Sequence, residues 1–370
     1  MSTAAHSSMK LAGQESQLVS KKRPMVIAGP CSAESEQQML QTALGLQKVK
    51  GVTVFRAGIW KPRTRPGSFQ GVGTIGLEWM RTVKQETGLR TACEVANTSQ
   101  VELALQHGVD ILLIGAHTTV NPFLVQEIAD ALKGVQVPVL VKNPVNPDLQ
   151  LWLGALERLH HSGITDLGAM HRGFSTLDSA PYRNHPKWEH ALELRQLVPD
   201  LAMYCDASHI AGRRSLLRPV SQRALDLGYD GLMVESHHNP AAALSDAQQQ
   251  IMPQELHMLL QALKPNKTSA EKVKQGAQLE KLRKEIELLD DELLALMSRR
   301  TKVTAELGNF GKPTAEQSAL PDPVRWDLVL ENLLHQANTA GIDQGFVKTI
   351  FQEVRSQYAR THLYNYGLSS

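Results

Sequence analysis

Met25-Val26-Ile27-Ala28-Gly29, then Gln37–Val49, then Val52-Thr53-Val54-Phe55-Arg56-Ala57 form the stretch on which the fold turns. An apolar β-rich run is followed by a longer segment with apolar residues at helical spacing, and then by a second apolar β-rich run. The alternation continues. Further apolar runs stand at Leu89–Val95, Ile111–Gly115, Val137–Val141, Ile164–Met170, Leu201–Cys205 and Gly231–Val234, with helical segments such as Gln100–His107, Pro122–Leu132, Leu149–Leu159 and Leu216–Leu227 between them. Strand and helix alternating eight times predict an α/β chain built as a (β/α)8 TIM barrel, an architecture of about 250 residues. An open doubly wound sheet is the structural alternative.

Beyond the barrel the pattern changes. Lys264-Pro265-Asn266-Lys267-Thr268-Ser269 is polar and carries a proline, which reads as a linker. Leu282, Ile286, Leu289, Leu293 and Leu296 then fall at alternating steps of four and three, on a helix that begins at Leu279 and meets no Pro or Gly until Gly308. Pro321 and Pro323 precede a second helical pattern, Val324–Ala340, and Gly341 precedes a third, Phe346–Arg360. The expected organisation is a flexible N-terminus over 1–22, the barrel over 23–263, a linker over 264–277 and an all-helical domain over 278–370.

Length and composition agree with this division. At about 150 residues per domain, 370 residues make two or three folded units. Hydrophobic residues at 42% and charged residues at 21% exclude wholesale disorder and a disulfide scaffold. Lys and Arg number 39 against 37 Asp and Glu, a net charge of +2, so no global field draws in nucleic acid or a membrane. Cys31, Cys93 and Cys205 are too few and odd in number for a framework of bridges, which favours a reducing compartment. No apolar h-region precedes Pro24, and no run approaches about 18 apolar residues. A cytoplasmic protein without nucleic-acid or membrane partners is expected.

In such barrels the chemistry sits where the strands end. The strand ends present Cys31; Arg56 with Lys61 and Arg63; Glu94; His117; Lys142; Arg172; Asp206 with His209; and Glu235 with His237. A single Cys is usually a small buried hydrophobe, and a single Lys is usually solvated. A polar group on every strand argues for one shared site. Cys31, His209, Glu235 and Asp246 offer a thiolate, an imidazole and two carboxylates, a mixed S/N/O set suited to a divalent transition metal such as Mn²⁺, Fe²⁺, Co²⁺ or Zn²⁺. Arg56, Lys61, Arg63, Lys142 and Arg172 converge as cations on a nearly neutral protein, which calls for a phosphorylated, strongly anionic substrate. Gly71-Val72-Gly73-Thr74-Ile75-Gly76 fits the dinucleotide-binding spacing, with Glu94 following. The proline-bracketed loop Lys61-Pro62-Arg63-Thr64-Arg65-Pro66 precedes it where that motif requires a strand, so it reads as a flexible glycine-rich loop.

Ala28-Gly29-Pro30-Cys31-Ser32, Phe55-Arg56-Ala57-Gly58, Lys61-Pro62-Arg63-Thr64, Asp206-Ala207-Ser208-His209, Glu235-Ser236-His237 and Leu244-Ser245-Asp246 resemble the 3-deoxy-D-arabino-heptulosonate 7-phosphate synthases of type I-beta. The resemblance spans Lys22 to Leu263. The related octulosonate-phosphate synthases carry a different, Asn-containing loop in place of Lys-Pro-Arg-Thr. The resemblance implies condensation of phosphoenolpyruvate with erythrose 4-phosphate and release of phosphate, the first step towards chorismate and the aromatic amino acids. It implies Cys31, His209, Glu235 and Asp246 as metal ligands. Arg56, Lys61, Lys142 and Arg172, with Glu94, Ala116 and His117, would surround phosphoenolpyruvate, and Arg63 and Thr64 would take the erythrose phosphate. Lys61 is the expected acid. Gly115-Ala116-His117 departs from the family's Gly-Ala-Arg, replacing a fixed cation with an imidazole.

Leu279-Glu280-Lys281-Leu282-Arg283, Leu289-Asp290-Asp291-Glu292-Leu293-Leu294-Ala295-Leu296 and Ser298-Arg299-Arg300 resemble the first helix of the all-helical chorismate mutases, a likeness running to Arg360. From periodicity alone the same helix reads as a coiled-coil dimer seam. Arg283 and Arg300 stand 17 residues apart. At a rise of 1.5 Å per residue that is about 25 Å, so one helix cannot wrap both around a small dicarboxylate, whereas two antiparallel chains can. A homodimer through this domain is expected, binding chorismate or prephenate.

The resemblance implies Arg283, Arg300, Arg325 and Lys312 as the mutase's catalytic residues. Gly311 stands where the family's Lys belongs, with Lys312 one position late; Trp326 stands for a Glu and His362 for a Gln. The gripping cations are therefore present and the donors to the ether oxygen are altered, which implies a slow mutase. Alternatively, the domain is a non-catalytic prephenate- or chorismate-sensing and dimerising module that regulates the synthase.

Overall fold

The protein is described by a computed structural model over residues 9, 16–18, 24–61, 67–176, 181–264, 270–309 and 323–365; in the three C-terminal helices it describes the side chains of 282–306 and 326–357. Eight parallel strands close on themselves in sequence order: β1 (Met25–Gly29), β2 (Val52–Arg56), β3 (Arg90–Val95), β4 (Ile111–Ile114), β5 (Val139–Lys142), β6 (Leu167–His171), β7 (Ala202–Asp206) and β8 (Gly231–Glu235). β1 completes the ring by pairing with β8 from Met25 opposite Gly231 to Gly29 opposite Glu235. The predicted barrel is the observed fold, and the open sheet is excluded.

Helix starts are encoded in the loops. Ser35, Asn97, Asn121 and Asp148 each accept a backbone N–H at the entrance to the helices Glu36–Gln47, Thr98–Gln106, Pro122–Ala131 and Leu149–His161. Each such cap is worth about 1 kcal/mol. The apolar faces of these helices bury Met39, Leu46, Ile128, Trp152 and Leu156 against the outside of the sheet. Trp152 keeps its indole N–H satisfied by donating to the Val141 carbonyl at 3.0 Å.

The barrel interior is a second, separate core of Leu18, Met25, Ile27, Val54, Ala92, Ile111, Leu113, Leu140, Met170, Ala202, Tyr204 and Met233. Leu18 belongs to a stretch read from sequence as flexible, yet it is 0% exposed. The Tyr204 hydroxyl donates to the Leu18 carbonyl at 2.6 Å, the Gln17 N–H donates to Asp166 Oδ2 at 2.9 Å, and Arg90 Nη1 donates to the Gln17 carbonyl at 3.2 Å. The reason is the apolar interior itself: burying one leucine there gains about 2 kcal/mol, and these three hydrogen bonds, at about 1 kcal/mol each, help to offset the roughly 1–2 kcal/mol that ordering each of Ser16–Leu18 costs.

The stretch Gly71–Gly76 is not the turn of a nucleotide fold, since among the described residues no strand runs directly into it, β2 ending at Arg56, and Ile75 opens the helix Ile75–Thr87. It is not slack throughout, however. Gly71 bridges Trp60 at φ +92°, where a Cβ would fall 2.2 Å from the Ile59 carbonyl oxygen.

The chain divides into two compact units, the second from Leu282 onward. The long helix Ala270–Asn309 begins inside the stretch read as linker, because Ala270-Glu271-Lys272-Val273-Lys274-Gln275 consists largely of strong helix formers. The helices Pro323–Thr339 and Gln344–Asn365 follow. Trp326 and Ala337 are buried, and the Arg355 guanidinium stacks over the Trp326 ring at 5.3 Å. Leu282, Ile286, Leu289, Leu293 and Leu296 remain about half exposed in the single chain. Among the described residues no helix is long and apolar enough to cross a membrane.

Candidate active site

Alternate residues of a strand face the same side. Val54, Ala92, Leu140, Tyr204 and Met233 belong to the apolar interior. Two residues further on, Arg56, Glu94, Lys142, Asp206 and Glu235 therefore form the next layer towards the C-terminal ends of the strands. The interior changes from largely apolar to largely charged in that one step. Buried charges persist only when paired. Arg56 Nη1 lies 3.3 Å from Glu235 Oε1, and Lys142 Nζ lies 2.9 Å from Glu94 Oε2 and 3.7 Å from Asp206 Oδ2. Gly115 is where it must be, because a Cβ there would stand 2.2 Å from Glu94 Oε1.

The electrostatics follow from these pairs. Burial opposes ionisation of Glu94, but Lys142, then Lys61 and Arg56, outweigh it and hold the carboxyl down at about 2. Burial likewise opposes ionisation of Asp206, and His209 with Lys142 holds it well below the usual carboxylate range.

Cys31, Glu235 and Asp246 offer three donor atoms within 4.8 Å of one another. His209 adjoins them: its Nδ1 lies 2.8 Å from Asp206 Oδ2 and its Nε2 lies 3.9 Å from Glu235 Oε1. A carboxylate that takes one ring nitrogen and turns the other towards the donors is the usual support of a metal-ligating histidine. Asp246 is held at φ +47°, a left-handed conformation rare outside glycine, and such strain clusters at functional sites. Burial, aided by Glu235, pushes the Cys31 thiol up to about 12. A thiol and two carboxylates gathered this closely repel once ionised, and a divalent cation turns that repulsion into ligation. The residues fit such an ion.

Beside this cluster a cavity of about 130 Å³ collects Arg56, Lys61, Glu94, Ala116, His117, Lys142 and Arg172, with His209 and Asp246 also in its wall. Cys31 and Glu235 are fully buried. Lys61 Nζ stands 3.1 Å from Cys31 Sγ and donates to the Cys31 carbonyl at 3.2 Å. Burial disfavours the Lys61 charge, but Cys31 and Glu235 reverse this and raise its pKa, so the ammonium stays protonated. Gly58 makes room, since a Cβ there would meet Lys61 Cδ at 2.8 Å. Arg172 is aimed by Asn184, whose Oδ1 accepts from Nη1 at 2.9 Å, and its backbone N–H is held by Asn143. His117 is exposed, in the short helix Ala116–Thr119. Arg63 and Thr64 lie outside the described residues.

Two residues escape the sequence reading of the site, and a third, Asp206, is legible there only as a strand-end group, without its pairing to His209 and Lys142. Arg183 lines the cavity and pairs with Asp246 at 2.9 Å, and Gln249 donates to Glu235 Oε2 at 2.7 Å. The run Gln248-Gln249-Gln250 just after Asp246 was the available signal: Gln249 and Gln250 are buried, and buried amides need specific partners.

Residues 11–272 match the DAHP synthetase I family. The chain belongs to that family. Residues 282–361 match chorismate mutase type II, so a DAHP synthase barrel and a chorismate mutase domain share one chain. Phospho-2-dehydro-3-deoxyheptonate aldolase of Thermotoga maritima is 34% identical over 239 residues, covering 65% of this chain and 68% of that protein. Its crystal structure matches with a TM-score of 0.58 at 32% identity, over 64% of this chain and 67% of that one. 2-Dehydro-3-deoxyphosphooctonate aldolase of Wolinella succinogenes is 29% identical over 264 residues, covering 65% of this chain and 97% of that protein.

In the chorismate mutase domain, Arg283 and Arg300 both lie exposed on the helix Ala270–Asn309. One continuous helix keeps them about 25 Å apart. Gly311 and Lys312 lie outside the described residues, as do the side chains of Arg325 and His362. Trp326, the residue that departs from the expected Glu, is packed under Arg355.

Proposed function

We propose that the barrel of this DAHP synthase condenses phosphoenolpyruvate with erythrose 4-phosphate, consuming one water, in a metal-dependent, aldol-type reaction that gives 3-deoxy-D-arabino-heptulosonate 7-phosphate and phosphate. The observation that carries this is the convergence of Arg56, Lys61, Lys142 and Arg172 on one cavity beside Cys31, Glu235 and Asp246. Cys31, His209, Glu235 and Asp246 would hold one divalent ion, Mn²⁺, Fe²⁺, Co²⁺ or Zn²⁺, which supplies Lewis acidity at the aldehyde. The cations hold phosphate and carboxylate groups in register, which lowers the entropic part of the barrier. Lys61 Nζ, protonated and beside the donors, delivers a proton to the oxygen that becomes the new hydroxyl. Lys61-Pro62-Arg63-Thr64 takes erythrose 4-phosphate, with Arg63 and Thr64 gripping its phosphate.

The helical domain pairs with that of a second chain along the exposed Leu282-Ile286-Leu289-Leu293-Leu296 face, and the dimer rearranges chorismate to prephenate slowly, using Arg283, Arg300, Arg325 and Lys312. The burial of Trp326 under Arg355, at a position where a carboxylate was expected, favours a second reading. In that reading the domain senses chorismate or prephenate and regulates the barrel without catalysis. The chain works in the cytoplasm, without nucleic-acid or membrane partners. Separate assays of the two reactions on the purified protein test both readings. Condensation with turnover of chorismate supports the bifunctional enzyme, condensation alone with prephenate binding supports the sensor, and no condensation refutes the barrel assignment.

A further inference from the structure

Two side chains outside the expected ligand set tie the carboxylates of the metal cluster together. Arg183 Nη1 pairs with Asp246 Oδ2 at 2.9 Å and donates to Gln249 Oε1 at 2.7 Å, and Gln249 Nε2 donates to Glu235 Oε2 at 2.7 Å. The direction of this chain is fixed by chemistry. A guanidinium has donors only, so the Gln249 oxygen must face Arg183 and its NH₂ must face Glu235. Gln249 is 1% exposed, which leaves its amide no water to turn towards. Glu235 is thereby held through Oε2, and its other oxygen, which accepts from Arg56 Nη1 at 3.3 Å, faces His209 Nε2 at 3.9 Å. The adjacent Gln250 braces the same loop: its Oε1 accepts from the Cys31 N–H at 3.0 Å and its Nε2 donates to the Ser245 carbonyl at 2.8 Å.

We infer that Gln249, oriented by Arg183, is a positioning residue for the metal centre, presenting one oxygen of Glu235 to the space shared with Cys31, His209 and Asp246. The inference rests on the metal reading above and adds to it residues that touch neither substrate nor ion. Outer groups that orient ligands typically change metal affinity 10–100-fold when removed. Asp246 at φ +47° gives Arg183 a parallel task, since the pairing at 2.9 Å holds that carboxylate in a backbone conformation it would not choose alone.

The test uses the full chain stripped of metal. Mn²⁺ affinity is measured by calorimetry for the parent protein, Gln249→Met and Arg183→Gln, together with the visible spectrum of each protein loaded with Co²⁺ and the thermal midpoint of each without metal. The expected result is about a 10–100-fold loss of Mn²⁺ affinity for Gln249→Met, a smaller loss for Arg183→Gln, and an altered Co²⁺ spectrum in both. At saturating metal the KM of Gln249→Met for phosphoenolpyruvate should stay within about threefold of the parent, because that variant acts on a ligand and leaves the cation cluster intact. Arg183 is partly exposed, so its variant carries the test should Gln249→Met fail to fold. Failure of the parent protein to bind Mn²⁺ overturns the metal reading and this inference with it. A parent that binds, with variants of equal or higher affinity, overturns this inference alone, and so does a lowered thermal midpoint with unchanged affinity.

Discussion

Glu94→Gln isolates the energetics of the charged layer inside the barrel. The Glu94 carboxyl is held at about 2, against about 4.3 for an unperturbed glutamate. At 1.36 kcal/mol per pKa unit the difference amounts to about 3 kcal/mol of stability carried by the ionised form. The side chain is 24% exposed, so solvent screening reduces this to about 2 kcal/mol. The sign follows from the direction of the shift. A carboxyl depressed in the folded state contributes fully above its unfolded pKa, and the contribution is lost as pH falls from about 4.3 towards 2. Glutamine imitates the protonated acid at every pH. The variant should therefore unfold about 2 kcal/mol more easily than the parent at pH 7, and the gap should fall to about half by pH 3 and towards zero only at pH 2 and below. Urea unfolding followed by tryptophan fluorescence measures this in the right unit, because Trp60, Trp79, Trp152 and Trp188 all lie in the barrel and only Trp326 lies outside it. A gap of equal size at pH 7 and pH 3, or one under about 0.5 kcal/mol at pH 7, would refute the assignment of Glu94 as the principal counter-ion of Lys142.

Three further outcomes are expected. Chelator should abolish heptulosonate-phosphate formation and Mn²⁺ should restore it, with Cys31→Ser weakening metal affinity at least 10-fold; full activity in excess chelator, with no metal found by elemental analysis, would contradict this. His117→Arg, at the cavity wall, should lower the KM for phosphoenolpyruvate several-fold by restoring a fixed cation; an unchanged KM would place the residue outside the site. Leu289→Glu on the exposed apolar face should convert a dimer to a monomer in sedimentation and remove chorismate turnover while the barrel reaction continues, and a parent protein that already sediments as a monomer would refute the paired site.

What could be read from sequence, and what could not, follows from the range of the interactions concerned. The barrel was legible because strand and helix periodicities are local, and because the helix caps at Ser35, Asn97, Asn121 and Asp148 stand within a turn of what they cap. Most of the charged layer was legible too. Arg56, Lys142 and Glu235 terminate their strands and Glu94 stands one residue before the end of its own, and the same step of two that sets Val54, Ala92, Leu140 and Met233 inside the barrel sets them there as well. Leu18 was missed because the carbonyl of Leu18 meets Tyr204, 186 residues away, and nothing in the local composition of 1–22 reports an apolar barrel floor waiting to be covered. Arg183 and Gln249 were missed for the same reason at 66 residues' separation: their chemistry exists only where the loops after β6 and β8 meet. Trp326 shows the limit of resemblance. A family pattern marks a position as altered, but only the packing of Arg355 across its ring shows that the replacement has been absorbed into the helical core. Under the proposed mutase reading, a substitution absorbed in this way changes the donor set while leaving the helix that carries Arg283 and Arg300, so that reading expects ligand binding and turnover to separate in this domain.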